Sequence, residues 1–229
     1  MYDWAVSALQ TTVLVAVFPI YFVRVAGANM PESGALQGLE TANTIAAVLV
    51  AILSPILGAI SDFAAAKKKM LAASMLVGAS AVAGMFFVQR GDATLALVLF
   101  VISLIGATAS MVFYEALLPH IASNRELDRV STAGYAVGYI GGGVLLALNL
   151  AWIKMPQLFG LPSGADLSPS EATLPTRLAF LSVAAWWLVF SIPIFRRVPE
   201  PPRRIEIRAN LSSSARFQAP ATRQGVCEE

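Results

Sequence analysis

The chain has 229 residues, of which 57% are hydrophobic, and its 16 basic and 14 acidic side chains leave a net charge of +2. A soluble domain of this size would be nearer one quarter charged, so the composition excludes an ordinary soluble fold. The small net charge also excludes the broad basic surface of a nucleic-acid-binding protein.

Six windows along the chain contain no Asp, Glu, Lys, Arg or His, and each is long enough to cross a bilayer core as a helix. In chain order they are Trp4–Val23, Ala42–Ser61, Met70–Gln89, Leu95–Tyr114, Gly134–Ile153 and Leu178–Phe195. They predict an all-α membrane protein whose domain 1–195 has transmembrane helices at about 4–25, 42–62, 69–89, 94–118, 131–153 and 176–195.

The basic residues predict which side of the membrane is which. Twelve of the 16 Lys and Arg residues fall on the side that holds both termini, and four fall on the other. Cytoplasmic segments carry the Lys and Arg excess, so both termini are predicted to be cytoplasmic. The tail 196–229 is basic and proline-rich, then small and polar, and is predicted to be disordered. The expected location is the lipid bilayer of the plasma (inner) membrane.

The first window carries a polar stripe. Asp3, Ser7, Gln10 and Thr11 are three or four residues apart, so they share one helical face. Against hydrocarbon this stripe would be costly, so it is expected to face the bundle interior or water. It either lines a solute pathway or forms hydrogen bonds between helices. The pathway candidates in later windows are Asn43, Tyr135, Tyr139 and Trp186.

The connection between the second and third windows places charges unusually. Asp62 ends one helix, and Lys67 and Lys68 begin the next, so each charge lies at the unfavourable end of its own helix dipole. Asp62 is therefore expected to have a cationic partner. Gly58, one turn earlier, would let a neighbouring helix approach.

Glu115 lies one residue beyond the fourth window and has two interpretations. If it is buried, it must pair with a cation or take up a proton, which would make it a proton-coupling site. If it lies at the membrane surface, it is an ordinary boundary charge. We hypothesise that residues on this side form an inner gate whose ion pairs exist in one access state and separate in the other. Its predicted members are Gly58, Asp62, Lys67, Lys68, Glu115, Arg125 and Arg129.

Glycines recur every four residues in the fifth window, at Gly134, Gly138 and Gly142. A stripe of this kind removes side chains from one helix face and lets another backbone approach closely. We expect it to be a surface for helix packing.

One pattern resembles a signature of a known superfamily. Gly58-x-x-x-Asp62 followed by Lys67 and Lys68 resembles the loop signature between the second and third helices of the major facilitator superfamily. The usual basic residue, glycine and arginine after the acid are replaced by Phe63, Ala65 and Ala66, so the match is partial.

A narrower resemblance covers nearly all six windows. It is to the vacuole-effluxer-like branch, the autophagy-related amino-acid permeases and their bacterial relatives. The runs that carry it are Tyr2-Asp3-Trp4-Ala5, Phe18-Pro19, Leu117-Leu118-Pro119, Asp128-Arg129-Val130-Ser131 and Trp186-Trp187. The resemblance implies the N-terminal half of a twelve-helix transporter, with six helices in one major-facilitator-type bundle (3+3).

The function that this resemblance implies is secondary active transport by alternating access. Its implied cargo is a small solute, amino acids or related metabolites, with a proton as a candidate coupling ion. A second six-helix half would have to come from another copy or another chain.

Two alternatives remain at the level of sequence. The chain could be a truncated or frameshifted, non-transporting membrane fragment or scaffold. An intramembrane enzyme is disfavoured, because the single histidine cannot supply His-Glu-x-x-His and no Gly-x-Ser-x-Gly elbow occurs. No cofactor, metal site or nucleic-acid partner is predicted.

Overall fold

A computed structural model of the chain describes residues 1–64, 66–118, 127–164 and 166–200. Within these ranges six helices are long and apolar enough to cross a membrane. They are α1 Tyr2–Ala26, α2 Glu32–Ala64, α3 Lys67–Gly84, α4 Ala93–Leu117, α5 Leu127–Lys154 and α6 Pro169–Arg197. The predicted all-helical membrane protein with six long apolar helices is confirmed. The predicted disorder beyond residue 200 falls outside the described residues.

All six helices begin before their charge-free windows, and α2 and α6 do so by the largest number of residues. α2 begins at Glu32 and α6 at Pro169, so each extends by several residues into a polar segment. The start of α6 is set by a capping box, in which the Ser168 hydroxyl accepts from the Glu171 amide and the Glu171 carboxylate accepts from the Ser168 amide. Such caps satisfy backbone donors locally, so a membrane helix can continue beyond its apolar stretch.

α1 departs from regular α-helix over much of its length. Its segments Leu9–Val17 and Phe22–Ala26 have π-helical hydrogen bonding, and they flank an α-helical turn at Phe18–Tyr21. Pro19, in that turn, has no amide hydrogen to donate. Wide turns of this kind occur mostly where a helix carries function, so α1 is the natural place to look for a site.

The helices pack in a definite order. α1 contacts α5 and α6, α4 contacts α2 and α3, and α3 contacts α6. Aromatic rings fill the centre: Phe18 of α1 stacks on Phe100 of α4 with centroids 4.5 Å apart, and Tyr21 meets Phe180 of α6 edge to face at 5.5 Å. Apolar ring contact therefore joins three of the six helices.

The closest helix crossing lies between α3 and α4. A Cβ atom built on Gly106 would lie 2.6 Å from the backbone nitrogen and Cα of Gly78. The indole of Trp187 covers this crossing, since a Cβ on Gly78 would lie 2.7 Å from its ring. Trp187 is fully buried. We call this crossing the α3–α4 seam.

α2 is the least covered helix. Only 6% of its most apolar stretch is buried within the described part of the chain. Its outward-facing apolar side chains include Ile45, Val48, Leu49, Ile52, Ile56 and Ile60. The bundle thus presents one long helix almost entirely to its surroundings.

Candidate solute pathway

The polar stripe of α1 lies directly against the glycine stripe of α5. Each glycine faces one polar residue, and a Cβ atom built on it would lie 2.7 Å from that side chain's oxygen. The pairs are Asp3 with Gly134, Ser7 with Gly138, and Thr11 with Gly142. Without side chains on this face, α5 can approach α1 closely enough to enclose these polar groups. We call this contact the α1–α5 seam.

Asp3 is a carboxylate held inside the bundle. It is 4% exposed, lies in the first turn of α1 and accepts a 2.6 Å hydrogen bond at Oδ2 from the Tyr114 hydroxyl of α4. The helix N-terminus favours negative charge at this position. The ring of Tyr2 packs against that of Tyr114, with centroids 5.0 Å apart, and so supports the position of the Tyr114 hydroxyl.

A second acid and phenol lie beside the first pair. The Tyr135 hydroxyl of α5 donates to Glu115 Oε1 of α4 at 3.1 Å, and both side chains are exposed at the bundle surface. We call Asp3, Tyr114, Glu115 and Tyr135 the acid–tyrosine cluster. It joins α1, α4 and α5 on the side of the bundle that holds the N-terminus, with one carboxylate enclosed and one accessible.

Trp186 belongs to an aromatic group next to the α1–α5 seam. Its ring stacks on Trp4 with centroids 5.9 Å apart, and its Nε1 donates to the Trp4 carbonyl at 3.2 Å. Phe190 lies 4.4 Å from Trp186 and completes the group. Gly141 of α5 leaves the room that the Trp4 indole occupies.

Three pathway candidates lie apart from these groups. Gln10 of α1, Asn43 of α2 and Tyr139 of α5 are all exposed, and Tyr139 has 66% of its surface accessible. None of them donates or accepts a side-chain hydrogen bond within the described ranges. They mark polar positions on the outside of this bundle, within membrane-spanning helices.

The two lysines that begin α3 cap other helices. Lys67 Nζ donates to the Ala116 carbonyl in the last turn of α4 at 3.1 Å. Lys68 Nζ donates to the carbonyls of Phe195, in the last turn of α6, and Val198, at 3.0 and 2.5 Å. The carboxyl end of a helix is its negative end, so each lysine gains from a neighbour the interaction that its own helix cannot give.

The other predicted gate residues are only partly described. A Cβ atom on Gly58 would meet no described atom within 4 Å, and Arg129 is exposed near the start of α5. The side chain of Asp62 and all of Arg125 lie outside the described residues.

Sequence reasoning missed three contributors. The sequence did not predict Tyr114 as the hydrogen-bond donor to Asp3, although six spans place the start of α1 and the end of α4 on the same side of the membrane. The glycines of the α3–α4 seam also went unnoticed, although Ser74 and Gly78 show the small-residue spacing of a packing face. Arg177 is 7% exposed and donates to Phe86 and Ser170, so it fixes α6 to the end of α3.

Comparison with known proteins identifies the family. The model for "Vacuole effluxer Atg22 like" proteins matches residues 40–127 and 123–216. A protein named "Uncharacterized MFS-type transporter YxiO", from Bacillus subtilis (strain 168), is 32% identical over 201 residues, which are 86% of this chain and 45% of that protein. The chain thus spans about half the length of this curated relative, and no solved structure matches it. The chain belongs to the Atg22-like vacuole effluxer family, and its six helices correspond to half of a transporter of the major facilitator type.

Proposed function

We propose that this bundle forms one wall of a secondary active transporter that moves amino acids or related small metabolites by alternating access. The observation that carries the proposal is the acid–tyrosine cluster, which places two carboxylates and two phenols at the junction of α1, α4 and α5. Polar groups inside membrane helices are costly against lipid, so their retention favours a role toward a solute or water.

The chemistry of the cluster suits a solute that carries an ammonium group. The Glu115 carboxylate is accessible and can accept charge-assisted hydrogen bonds from such a group. Trp186, which is half-buried beside Trp4 and Phe190, is the aromatic residue that we propose contacts the apolar part of an amino acid. The exposed Gln10 and Tyr139 add further donors and acceptors on α1 and α5.

Asp3 is the group we propose to link α1 to α4 during the transport cycle. It is enclosed, and within the described ranges its side-chain donor is a neutral phenol rather than a cation. Loss of the carboxylate charge, as in Asp3→Asn, would weaken its charge-assisted bond from Tyr114 and loosen the contact of α1 with α4. The coupling ion that we propose for the transporter is a proton.

The arrangement also supports the proposed two triplets of helices. α1 packs on α5 as α4 packs on α2, while α3 packs on α6, as expected if α1–α3 and α4–α6 are related by an inverted repeat. The uncovered α2 and the half-length match support a second six-helix half, from another copy or another chain. We further propose cytoplasmic termini in the plasma membrane, with the predicted inner gate on that side.

The test is solute exchange by the chain reconstituted in liposomes. Liposomes loaded with unlabelled amino acids should take up the labelled ones, and Asp3→Asn should reduce this exchange at least tenfold. Asp92→Asn is the matched control, because Asp92 lies in an exposed connection on the opposite side. Equal exchange by both variants would remove Asp3 from the mechanism.

A non-transporting membrane scaffold is the second candidate, and the half-length match favours it. It predicts no exchange of any amino acid by the chain, whether it is monomeric or self-associated in the liposomes. Exchange above that of protein-free liposomes would rule out the scaffold.

A further inference from the structure

A cleft opens on the bundle surface at the end of α1 that lies opposite the N-terminus. It has a volume of about 260 Å³ and is formed by α1, α5 and α6. The walls are mostly apolar, from Ala16, Val17 and Ile20 of α1 and Leu150 and Ile153 of α5. Along α1 the cleft runs from Ala16 to Val25, so it extends from the middle of the helix to its end.

The outer end of this cleft is positively charged. Arg24 lines it and is exposed, and within the described part of the chain no acceptor lies within hydrogen-bond distance of its guanidinium. Lys154 follows Ile153 at the end of α5 and is exposed as well. Two acids lie near the cleft without lining it: Glu171 accepts from the amide and hydroxyl of Ser168, and Asp92, which acts electrostatically on the lining residue Tyr21, accepts from the Gln89 amide. Among the residues that line the cleft in the described part of the chain, Arg24 is the charged one.

We propose that the cleft is a binding site for an acidic phospholipid from the leaflet opposite the N-terminus. An acyl chain lies along the apolar wall toward Ala16, and the phosphate meets the Arg24 guanidinium at the rim. The long axis of the cleft follows α1, which is the direction that lipid chains take in a bilayer. A guanidinium binds a phosphate through paired, charge-assisted hydrogen bonds, so the charge on Arg24 selects the head group.

The test uses the purified chain in detergent and native mass spectrometry. The two probes are phosphatidylglycerol and phosphatidylcholine with identical acyl chains, added separately at equal concentration. We expect at least one phosphatidylglycerol to stay bound under conditions that remove phosphatidylcholine. Arg24→Gln should lower the retained phosphatidylglycerol about fivefold, the effect typical of one basic residue near an anionic lipid surface.

Two further variants separate the rim from the apolar wall. Arg90→Gln removes an exposed cation from the same side but outside the cleft, and it should leave lipid retention unchanged. Ala172→Phe fills the cleft beside α6 while Arg24 remains, and it should lower retention as well. Equal retention of the two lipids, or equal loss in the Arg24 and Arg90 variants, would overturn the proposal. Lipid retention is measured without any solute flux, so its outcome is independent of the proposed transport.

Discussion

The α3–α4 seam and the α1–α5 seam both depend on glycine, but their glycines contact different groups. In the α3–α4 seam, Gly106 meets the backbone of Gly78, and the rigid indole of Trp187 closes the contact. In the α1–α5 seam, Gly138 and Gly142 meet hydroxyls and backbone carbonyls of α1, whereas the three atoms nearest to a Cβ on Gly134 all belong to the Asp3 side chain. The first seam is a fixed crossing of two backbones. The second seam has such backbone contacts at Gly138 and Gly142, but at Gly134 it has a side chain with rotatable bonds between the two helices, so this end can change its contact more easily.

The largest effect is expected where backbone meets backbone. Gly106→Ala would place a methyl group 2.6 Å from Gly78, and neither helix has a side chain there that could rotate away. The variant should lose about 3 kcal/mol of unfolding free energy, the upper end of the usual cost of overpacking. Thermal unfolding in detergent would measure it. Gly143→Ala is the control, since a methyl group there meets nothing within 4 Å of the described chain.

The next largest effect should come from the enclosed carboxylate. Tyr114→Phe keeps the ring and its contact with Tyr2 but removes the 2.6 Å hydrogen bond to Asp3. Hydrogen bonds to charged groups contribute about 2 kcal/mol, so the unfolding free energy should fall by about that amount at neutral pH. In a chain that already carries Asp3→Asn, the same change should cost clearly less. If both backgrounds lose equal stability, the phenol does not act through the carboxylate.

The smallest of the three effects is expected at Gly134. A methyl group there would lie 2.7 Å from Asp3 Oδ2, but its close neighbours are all atoms of that rotatable side chain. The end of this side chain needs to move by only a few tenths of an ångström, which keeps its hydrogen bond from Tyr114, and alanine is the better helix former, so the net cost should be about 1 kcal/mol or less. The same unfolding measurement ranks the variants. A loss at Gly134 as large as at Gly106 would show that this end of the α1–α5 seam is as rigid as the α3–α4 seam.

The helices themselves could be predicted from the sequence, because the bilayer imposes a local rule. A charged residue inside the hydrocarbon core is costly wherever it falls, so the six charge-free windows mark the six long helices. The beginnings of α2 and α6 could not be read in this way. Their first turns are polar, and the start of α6 is decided by the capping box at Ser168, a signal that hydropathy does not carry.

The faces of the helices were also readable, but their partners were not. The four-residue spacing of Gly134, Gly138 and Gly142 indicated a packing surface, and the spacing of Asp3, Ser7 and Thr11 indicated a shared polar face. That these two faces meet depends on how six helices assemble, which no spacing within one helix reports. Their pathway role and the inner gate stay predictions.

The capping lysines tie the ends of three helices together on the N-terminal side. Through Lys67 and Lys68 the start of α3 holds the end of α4 and the end of α6 with three hydrogen bonds. A motion that drew α4 away from α6 on this side would have to break some of these bonds. A rotation of the entire bundle would break none of them. These hydrogen bonds therefore favour rigid-body rotation of the bundle over separation of its helices on this side.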